Sequence, residues 1–357
     1  MRAVRARVLF SLLLRMAVRP ALRACLRGHP VRGGRLLVAH ASALLRDRLW
    51  PHEARLLKAD LPRVRAERSR LYLQFEHQCA LAPYAQALAR AGLADKAAFA
   101  VFCRDAGLAA IPTVRVSAAD AAEWERAFAA SAGDCAFVKP ATGSGGKGSA
   151  LLERTGAQAW RLTDAAGVHE GKLAAVIRGH RKAGALVMQP LLANHPELAA
   201  WAGATLATFR TITARGQDGA VQVLSMLAEI PCGEERPLPK GWCIIAVDPR
   251  TGQLAPLDDA ALSALPPAPR DRAAGLAGRV VPQAAALAEL ACEAHRRIIA
   301  AAPEPLPPMI GWDVALAEEG PVLVEPNWNW SVAAHYRNLA GLDLSLSPRF
   351  AAAAARR

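Results

Sequence analysis

The sequence predicts an α+β protein with a mainly helical region at its N-terminus. Residues 1–90 are rich in alanine and arginine and contain few runs with the alternation expected of strands. From Asp95 onward, short helical segments alternate with strands, separated by turns rich in glycine or proline. We therefore divide the chain into an N-terminal helical and basic region, two α+β lobes and a C-terminal tail, at residues 1–90, 91–185, 186–348 and 349–357.

The composition is that of a globular protein with a strong basic excess. Of the 357 residues, 53% are hydrophobic and 21% are charged, and the formal net charge is +13. This balance fits nucleic acid, an anionic membrane surface or phosphorylated substrates as partners, and it also fits a solvated arginine-rich face. Aromatic residues make up only 5% and are not interleaved with basic ones, so we expect no nucleic-acid partner.

The cysteines favour reduced thiols over a disulfide framework or a zinc site. All seven are scattered along the chain without a Cys-x-x-Cys pair, and the nine histidines show no metal-binding spacing. We therefore expect a cytoplasmic protein.

The N-terminus begins like a signal peptide but does not continue as one. The apolar run Val8–Leu14 ends at Arg15 and is too short to span a bilayer. Arginines recur around it: Arg2, Arg5, Arg7, Arg15, Arg19, Arg23, Arg27, Arg32 and Arg35. This pattern predicts an amphipathic basic helix within residues 1–50, which either docks on the protein body or contacts an anionic membrane surface peripherally.

A glycine-rich loop is the most conspicuous local motif. Its glycines allow backbone amides to approach a phosphate chain, and its lysine adds positive charge; the residues concerned are Gly143, Ser144, Gly145, Gly146 and Lys147. Gly148 stands where a Walker sequence requires Ser or Thr. The loop matches Gly-x-Gly-x-x-Gly formally, but the run Ser149–Arg154 after it reads as a strand, whereas a dinucleotide fingerprint opens a helix. The setting predicts a flexible lid between two strands, and the alternative is a glycine-rich turn without a ligand.

Two apolar strands near the C-terminus each carry an acid. If Met309–Leu316 and Pro321–Glu325 pair about a centre near Glu319, Asp313 lies opposite Glu325, and cross-strand neighbours are about 5 Å apart. Asn327 follows Glu325 by two residues and shares its face if the backbone stays extended. Two carboxylates and an amide oxygen suit magnesium that carries substrate phosphates. Unpaired acids in such apolar settings would be costly, which favours a ligand role over solvent-facing edge acids.

Taken in order, these segments resemble the ATP-grasp superfamily from about Asp95 to Asn329. The resemblance implies two α+β lobes that clamp ATP, with the glycine-rich lid in the first lobe and the hinge and magnesium site in the second. It implies phosphate contacts from Lys96 and Lys139, a hinge for adenine at Val187–Leu191 that includes Gln189 and Leu191, and a ribose contact from Glu197. Arg210 resembles the arginine that holds the transferring phosphate, and Asp313, Glu325 and Asn327 match the magnesium triad.

Within that superfamily, the chain is most similar to the sugar-transfer-associated proteins found beside polysaccharide biosynthesis. The segments that carry this likeness are Asn194–Leu198, Thr208–Thr213, Gly311–Asp313 and Val324–Asn327. Cys232–Trp242 departs from the subfamily in its low glycine content. Trp328, Asn329, Trp330 and His335 follow the metal strand and either line the substrate pocket or belong to the core.

The resemblance implies an ATP- and magnesium-dependent ligase. A carboxylate takes the γ-phosphoryl group to give an acyl-phosphate, and an amine or amino sugar then displaces phosphate. Lys139 and Arg210 are the implied catalytic residues. The alternatives are a kinase with the same grasp, which phosphorylates a hydroxyl, and a non-catalytic basic module that binds membranes or nucleic acid.

Overall fold

Two antiparallel β-sheets organise the protein in the computed structural model, which describes residues 2–27, 29–57, 61–117, 120–131, 133–143, 146, 148–179, 185–232, 241–256, 262, 267–276, 278–338, 341–342 and 344–355. Helices precede and flank the sheets, and the predicted α+β class with a helical N-terminal region is confirmed. Within these ranges, no helix is both long and apolar enough to cross a membrane.

The described residues of the N-terminal region form seven α-helices: α1 (Arg2–Leu12), α2 (Arg19–Leu26), α3 (Pro30–Arg46), α4 (Pro51–Leu56), α5 (Leu61–Ala66), α6 (Gln74–Leu81) and α7 (Ala85–Ala91). A π-helical segment, Leu13–Val18, joins α1 to α2 without a break, and the 3₁₀ turn Ala82–Tyr84 leads into α7. Proline is the first residue of α3 and of α4, where its missing N–H leaves no hydrogen bond unmade. Gly92 ends α7 in the left-handed conformation.

The first sheet has six strands in the order β1-β6-β2-β3-β4-β5. The strands are β1 (Val114–Val116), β2 (Cys135–Pro140), β3 (Ala150–Arg154), β4 (Trp160–Asp164), β5 (Gly167–Gly171) and β6 (Leu186–Pro190). Helices α9 (Ala121–Ala130) and α10 (Leu173–Gly179) cover one face, and Ala136 and Val138 of β2 are buried with them. Because side chains alternate along a strand, Phe137 and Lys139 project from the opposite face.

The second sheet has five strands in the order β11-β10-β7-β8-β9. They are β7 (Thr208–Arg215), β8 (Val221–Cys232), β9 (Gly241–Ala246), β10 (Met309–Ala317) and β11 (Gly320–Asn327). Among the described residues, four helices lie along the chain around them: α8 (Lys96–Asp105), α11 (Pro196–Ala202), α12 (Pro267–Ala274) and α13 (Ala284–Ala301). Phe209, Trp312 and Val314 share a core with Leu287 and Ile298 of α13, so one face of this sheet is mainly apolar and is buried against that helix.

The opposite face of the second sheet is divided between two environments. At one end of β7, Ile212 and Ala214 pack in a core that includes Leu49 and Leu73 from the N-terminal region. At the other end, the same face carries Arg210. The N-terminal region is therefore part of the support of the second sheet.

The structure corrects two of the predicted lobe boundaries. The strand Leu186–Pro190, assigned to the second lobe from the sequence, pairs with β1 and β2 in the first sheet. Helix α8, assigned to the first lobe, packs on the second sheet, where the Phe99 ring lies 6.4 Å from the ring of Trp312. In both cases the deciding contact is made with a segment distant in sequence.

The predicted tail at residues 349–357 is also wrong for most of its length. Two short elements precede it, α14 (Val332–Tyr336) and the strand pair β12 (Arg337–Asn338) and β13 (Gly341–Leu342). Helix α15 (Leu346–Ala354) then buries Phe350 completely, against the rings of Trp330, Tyr336 and Tyr72. An alanine-rich run reads as a frayed end by composition, but its apolar side packs on the core.

Replacement of Phe350 by alanine tests this correction. We expect Phe350→Ala to lower the free energy of unfolding by about 3–5 kcal/mol, because a large ring leaves a cavity in a packed core. Chemical denaturation measures the change. The exposed neighbour Arg349 supplies the control Arg349→Ala, and equal stabilities of the two variants would contradict the packed helix.

Stability should also fall in weak acid because histidines are buried uncharged. Burial, with a smaller contribution from the charge of Arg215, lowers the pKa of His295 from 6.5 to about 3. His295 lies on α13, and its Nδ1 is 2.8 Å from Thr213 Oγ1. Between pH 6.5 and pH 3 the unfolded chain therefore binds more protons at this histidine than the folded chain, and folding is increasingly opposed as the pH falls.

We expect His295 to contribute a loss of roughly 1.4 kcal/mol per pH unit over this window. His77 and His335 are buried as well, and burial lowers the pKa of each, so the wild-type slope contains all three contributions. Urea unfolding of wild type and His295→Gln at several pH values isolates the share of His295. The exposed His29→Gln serves as the control, and identical slopes for wild type and His295→Gln would refute the assignment.

Candidate active site

A row of three charged side chains crosses the second sheet. Arg210 on β7 lies directly opposite Asp313 on β10, and Asp313 lies directly opposite Glu325 on β11. The predicted pairing of Asp313 with Glu325 is confirmed. Cross-strand partners project from the same face of a sheet. All three side chains therefore lie on the face that also carries Ile212 and Ala214, which are farther along β7.

A β-bulge lies at this row. The register of β10 with β11 changes after Asp313, so that Val314 pairs with Leu323 and Val324 is the extra residue. Bulges re-aim side chains and are common beside active sites. Here Val324, Glu325 and Asn327 all line the same cleft.

Glycine at position 311 allows β10 to approach the end of β11 closely. Gly311 pairs with Asn327, and a Cβ at this position would come within 2.8 Å of the Trp330 ring and 2.9 Å of the Asn327 carbonyl oxygen. A larger residue would have to displace Trp330 or the backbone that carries Asn327.

Asp313 is buried and has a cationic partner. Arg210 Nη2 donates to Asp313 Oδ2 at 3.0 Å, and the Nε of the same guanidinium faces Oδ1. Burial raises the pKa of the Asp313 carboxyl. The positive charge of Arg210 lowers this pKa, and the negative charges of Glu229 and Glu325 raise it. Arg210 Nη2 also lies 3.8 Å from Glu229 Oε2. One guanidinium therefore opposes several carboxylates.

Lys96 connects the carboxylates with the glycine-rich loop. Its Nζ lies 3.1 Å from Glu325 Oε2 and donates to the carbonyl oxygen of Gly143 at 3.0 Å. Asp95 fixes the start of α8 by accepting from the N–H groups of Ala97 and Ala98. The Lys96 side chain is 8% exposed, so this contact is an internal one between the two sheets.

Lys139 adds a second ammonium group from the first sheet. It lies on β2, facing away from α9 and α10. Burial lowers its pKa to about 8, with Lys96 acting in the same direction and Glu325 and Asp313 against it. Within the described part of the chain, the site thus brings together three cationic and three anionic side chains, from both sheets and from α8.

These residues line a cleft of about 560 Å³ between the sheets, a volume typical of small-molecule sites. Ten of the residues predicted from the sequence line it: Lys96, Lys139, Gly143, Gly146, Gln189, Leu191, Arg210, Asp313, Glu325 and Asn327. Apolar side chains complete the walls, among them Ile111, Phe137, Leu151, Leu192, Leu206 and Val324.

One predicted residue that the structure describes lies away from the cleft. Glu197 is in the first turn of α11, directly after Pro196, where it is exposed and does not line the cleft. Ser144, Gly145 and Lys147 lie outside the described residues, as do residues 233–240 of the segment Cys232–Trp242. The loop does connect β2 to β3, as the predicted strand-to-strand setting requires.

Gln189 is oriented by a neighbour within the first sheet. It is 3% exposed, and its Nε2 donates to Thr113 Oγ1 at 2.7 Å. Its side-chain nitrogen is therefore engaged at the cleft wall.

The residues after the metal strand belong to the core. Trp330 is fully buried between His77, His335 and Phe350, and Trp328 packs with the apolar face of the second sheet. Asn329 accepts hydrogen bonds from the side chains of Gln74 and Gln78. Of the two interpretations left open by the sequence, the core interpretation is correct for the tryptophans and for His335.

Sequence analysis missed Glu229 and Trp242 as cleft residues. Glu229 stands on β8 opposite Thr208, whose Oγ1 donates to it at 3.4 Å. Glu229 is a single acid within the mainly apolar run Leu224–Ile230, and the same pattern identified Asp313. The sequence therefore contained a signal for Glu229. Trp242 is 43% exposed, and a single tryptophan after a proline-rich loop gives no comparable signal.

The donor set fits a hard cation that also carries phosphate oxygens. Among the described residues, no three His, Cys, Asp or Glu side chains group to hold a metal ion by themselves. Asp313, Glu325 and Asn327 supply two carboxylates and one amide. Magnesium is commonly held by one or two carboxylates while substrate phosphates and water complete its coordination.

Comparison with solved structures finds ATP-grasp enzymes at low overall similarity. The ATP-grasp ligase PsnB, complexed with its minimal precursor, is 18% identical over 74% of this chain and 62% of its own, with a TM-score of 0.39. The biotin carboxylase domain of Hydrogenobacter thermophilus 2-oxoglutarate carboxylase, with Mg-ADP and bicarbonate, is 17% identical over 74% and 46%, with a TM-score of 0.42. N5-carboxyaminoimidazole synthetase from Staphylococcus aureus, complexed with ADP, is 12% identical over 74% and 52%, also at 0.42.

In each case the chain spans less than two thirds of the protein that it matches. No curated protein sequence matches the chain significantly. The family model described as sugar-transfer associated ATP-grasp matches residues 79–347, well over half of the chain. That range contains both sheets and every described charged residue of the cleft. This protein therefore belongs to the sugar-transfer associated ATP-grasp family.

Proposed function

We propose that the protein is an ATP- and magnesium-dependent ligase that joins a carboxylate to an amine through an acyl-phosphate. The acceptor in this proposal is an amino sugar or another amine used in building a polysaccharide. The observation that carries the proposal is the charge pattern of the cleft, where Lys96, Lys139 and Arg210 face Asp313, Glu325 and Glu229. A site with both signs suits a polyphosphate that arrives with a divalent cation.

The cationic side chains are the proposed phosphate ligands. Lys139 and Lys96 approach from the β2 side and from the start of α8, and Arg210 approaches from the second sheet. Their different origins allow contacts to several phosphate oxygens at once. The glycine-rich loop from Gly143 would cover the phosphates and exclude water, so that an activated acyl group reacts with the amine before it is hydrolysed.

The carboxylates are the proposed cation ligands. Asp313, Glu325 and Asn327 would hold magnesium, which supplies charge neutralisation for the β- and γ-phosphates. For the nucleoside, the proposal places adenine at the hinge formed by Gln189 and Leu191, against the apolar walls of the cleft. The ribose contact of Glu197 stays a prediction, and in this structure the residue is exposed outside the cleft.

The protein's main contribution would be orientation and electrostatic stabilisation. In the first step, a substrate carboxylate oxygen bonds to the γ-phosphorus, the bond to the β–γ bridging oxygen breaks, and ADP leaves. In the second, the amine nitrogen bonds to the acyl carbon, phosphate leaves, and the amine loses a proton. Arg210 is placed to oppose negative charge in both steps, because its guanidinium lies at the cleft wall beside Asp313 and Glu229.

The acceptor side is proposed near Trp242. This ring is 43% exposed and lines the cleft together with Thr208 and Glu229. An exposed aromatic face beside hydroxyl and carboxylate groups suits a ring-shaped polar substrate such as a sugar. The aromatic face would contact the apolar face of the substrate ring, and the polar groups would form hydrogen bonds with its substituents.

Product analysis distinguishes a ligase from a kinase. Incubation with Mg-ATP and libraries of carboxylates and amines should release ADP and inorganic phosphate in equal amounts, with a new amide detected by mass spectrometry. A kinase would release ADP and retain the phosphate on a hydroxyl product. Absence of Mg-ATP binding in calorimetry would instead favour a non-catalytic module.

Substitution of the carboxylates tests the site itself. We expect Asp313→Asn and Glu325→Gln each to reduce kcat for ATP turnover by about a hundredfold or more, because each removes a negatively charged ligand of the cation that would neutralise the reacting phosphates. Glu318→Gln is the matched control, since Glu318 is exposed at the turn of the same hairpin. ADP formation measures the rates, and turnover of Glu325→Gln equal to that of Glu318→Gln would contradict the proposed site.

A further inference from the structure

The outer surface of the first two helices carries a regular apolar stripe. Five large apolar side chains, spaced four residues apart, are exposed by 39% to 79%: Phe10, Leu14, Val18, Leu22 and Leu26. They run through α1, the π-helical segment and α2 without interruption. We call these five residues the apolar stripe.

The π-helical segment keeps the stripe together. In an α-helix of 3.6 residues per turn, residues spaced four apart drift by about 40° at each step. The segment Leu13–Val18 is wound with i→i+5 hydrogen bonds and so has more residues per turn, which rotates the series back. The change of winding thus opposes the drift that would otherwise spread the five side chains around the helix.

A second stripe of arginines runs beside the first. Each follows an apolar-stripe residue directly in sequence, and all are exposed: Arg15, Arg19, Arg23 and Arg27. Residues 1–46 contain ten arginines and no acidic residue, and Asp47 is the first acid in the chain. Nearby carboxylates on the same segment therefore do not neutralise this surface.

The opposite side of these helices is fixed to the protein. Ala17 and Ala21 are buried, and a Cβ on Gly33 would collide with Cys25 and with the Ala21 carbonyl oxygen, so α3 packs closely against α2. Leu12 is buried with Leu44 and Phe75, which ties α1 to α3 and α6. Because intramolecular packing uses this other side, the apolar stripe is held facing outward.

From these observations we propose that α1 and α2 form a docking surface for an anionic lipid bilayer. The apolar stripe would enter the boundary between headgroups and acyl chains, and the flanking arginines would pair with lipid phosphates while their alkyl stems lie along the apolar layer. In this arrangement the two helices would lie along the bilayer surface.

The charge of the surface favours a bilayer over two other occupants. A second copy of this chain would bring arginine stripes of the same sign together, which opposes association. A nucleic acid would satisfy the arginines but would leave four exposed aliphatic side chains, Leu14, Val18, Leu22 and Leu26, without an apolar partner. An anionic bilayer satisfies both stripes at once.

Vesicle flotation of the full chain tests the proposal. Wild type should float with vesicles of phosphatidylcholine containing about one third phosphatidylglycerol, and at least ten times less should float with pure phosphatidylcholine. Added salt should weaken binding, since the arginine contribution is screened. Binding to both compositions alike, or to neither, would overturn the proposal.

Two sets of variants separate the stripes. Leu22→Asp combined with Leu26→Asp should reduce flotation at least tenfold, and Arg19→Gln combined with Arg23→Gln should reduce it on anionic vesicles. Val168→Asp, at an equally exposed apolar site on β5, is the control and should float as wild type. Circular dichroism and ATP turnover should be unchanged in all three. Retained flotation of the double aspartate variant would contradict the proposed bilayer surface. So would a failure of wild type to bind vesicles together with a concentration-dependent dimer, or an RNA complex, that the substitutions abolish.

Discussion

The ion pair between Arg210 and Asp313 is the constraint on which the arrangement of the second sheet depends. A carboxylate in a buried strand is costly unless a cation compensates for its lost hydration. The register of β7 with β10 supplies that cation from the residue directly opposite, with contacts to both carboxylate oxygens. Slippage by one residue would turn Arg210 toward the apolar core around α13, so charge and register enforce each other.

The Arg210–Asp313 ion pair divides one face of the second sheet into an end that lines the cleft and an end that is covered by helices. Where Arg210 and Asp313 stand, the face must remain polar and opens into the cleft. Two residues along β7, Ile212 begins an apolar surface that needs cover, and the cover comes from opposite ends of the chain, the N-terminal helices and the C-terminal helix with Phe350. The helical region that precedes the matched residues 79–347 therefore packs on the same sheet face that carries the site.

What could be predicted from the sequence was local. The hairpin that pairs Asp313 with Glu325 closes through a short turn, so counting residues along two strands led to the correct pair. The turn itself pairs Ala317 with Gly320, and the extra residue Val324 then shifts the register so that Glu325 lies opposite Asp313. Glu229 reaches the cleft only through the pairing of β8 with β7, and Trp330 is buried by His77 and Phe350 from remote segments. Such contacts are decided by tertiary packing, which strand and helix periodicity do not encode.

The paired charges of the cleft also indicate how it would accept a polyphosphate. In this structure Glu325 holds Lys96, and Asp313 holds Arg210. Under the proposed function, the two carboxylates would bind magnesium, and the two cationic side chains would bind phosphate oxygens instead. Each of these four side chains would then have a new partner of opposite charge. Lys96 also donates to the Gly143 carbonyl, which joins the α8 side of the cleft to the glycine-rich loop. Its change of partner would therefore couple occupation of the cation site to the position of the loop that covers it.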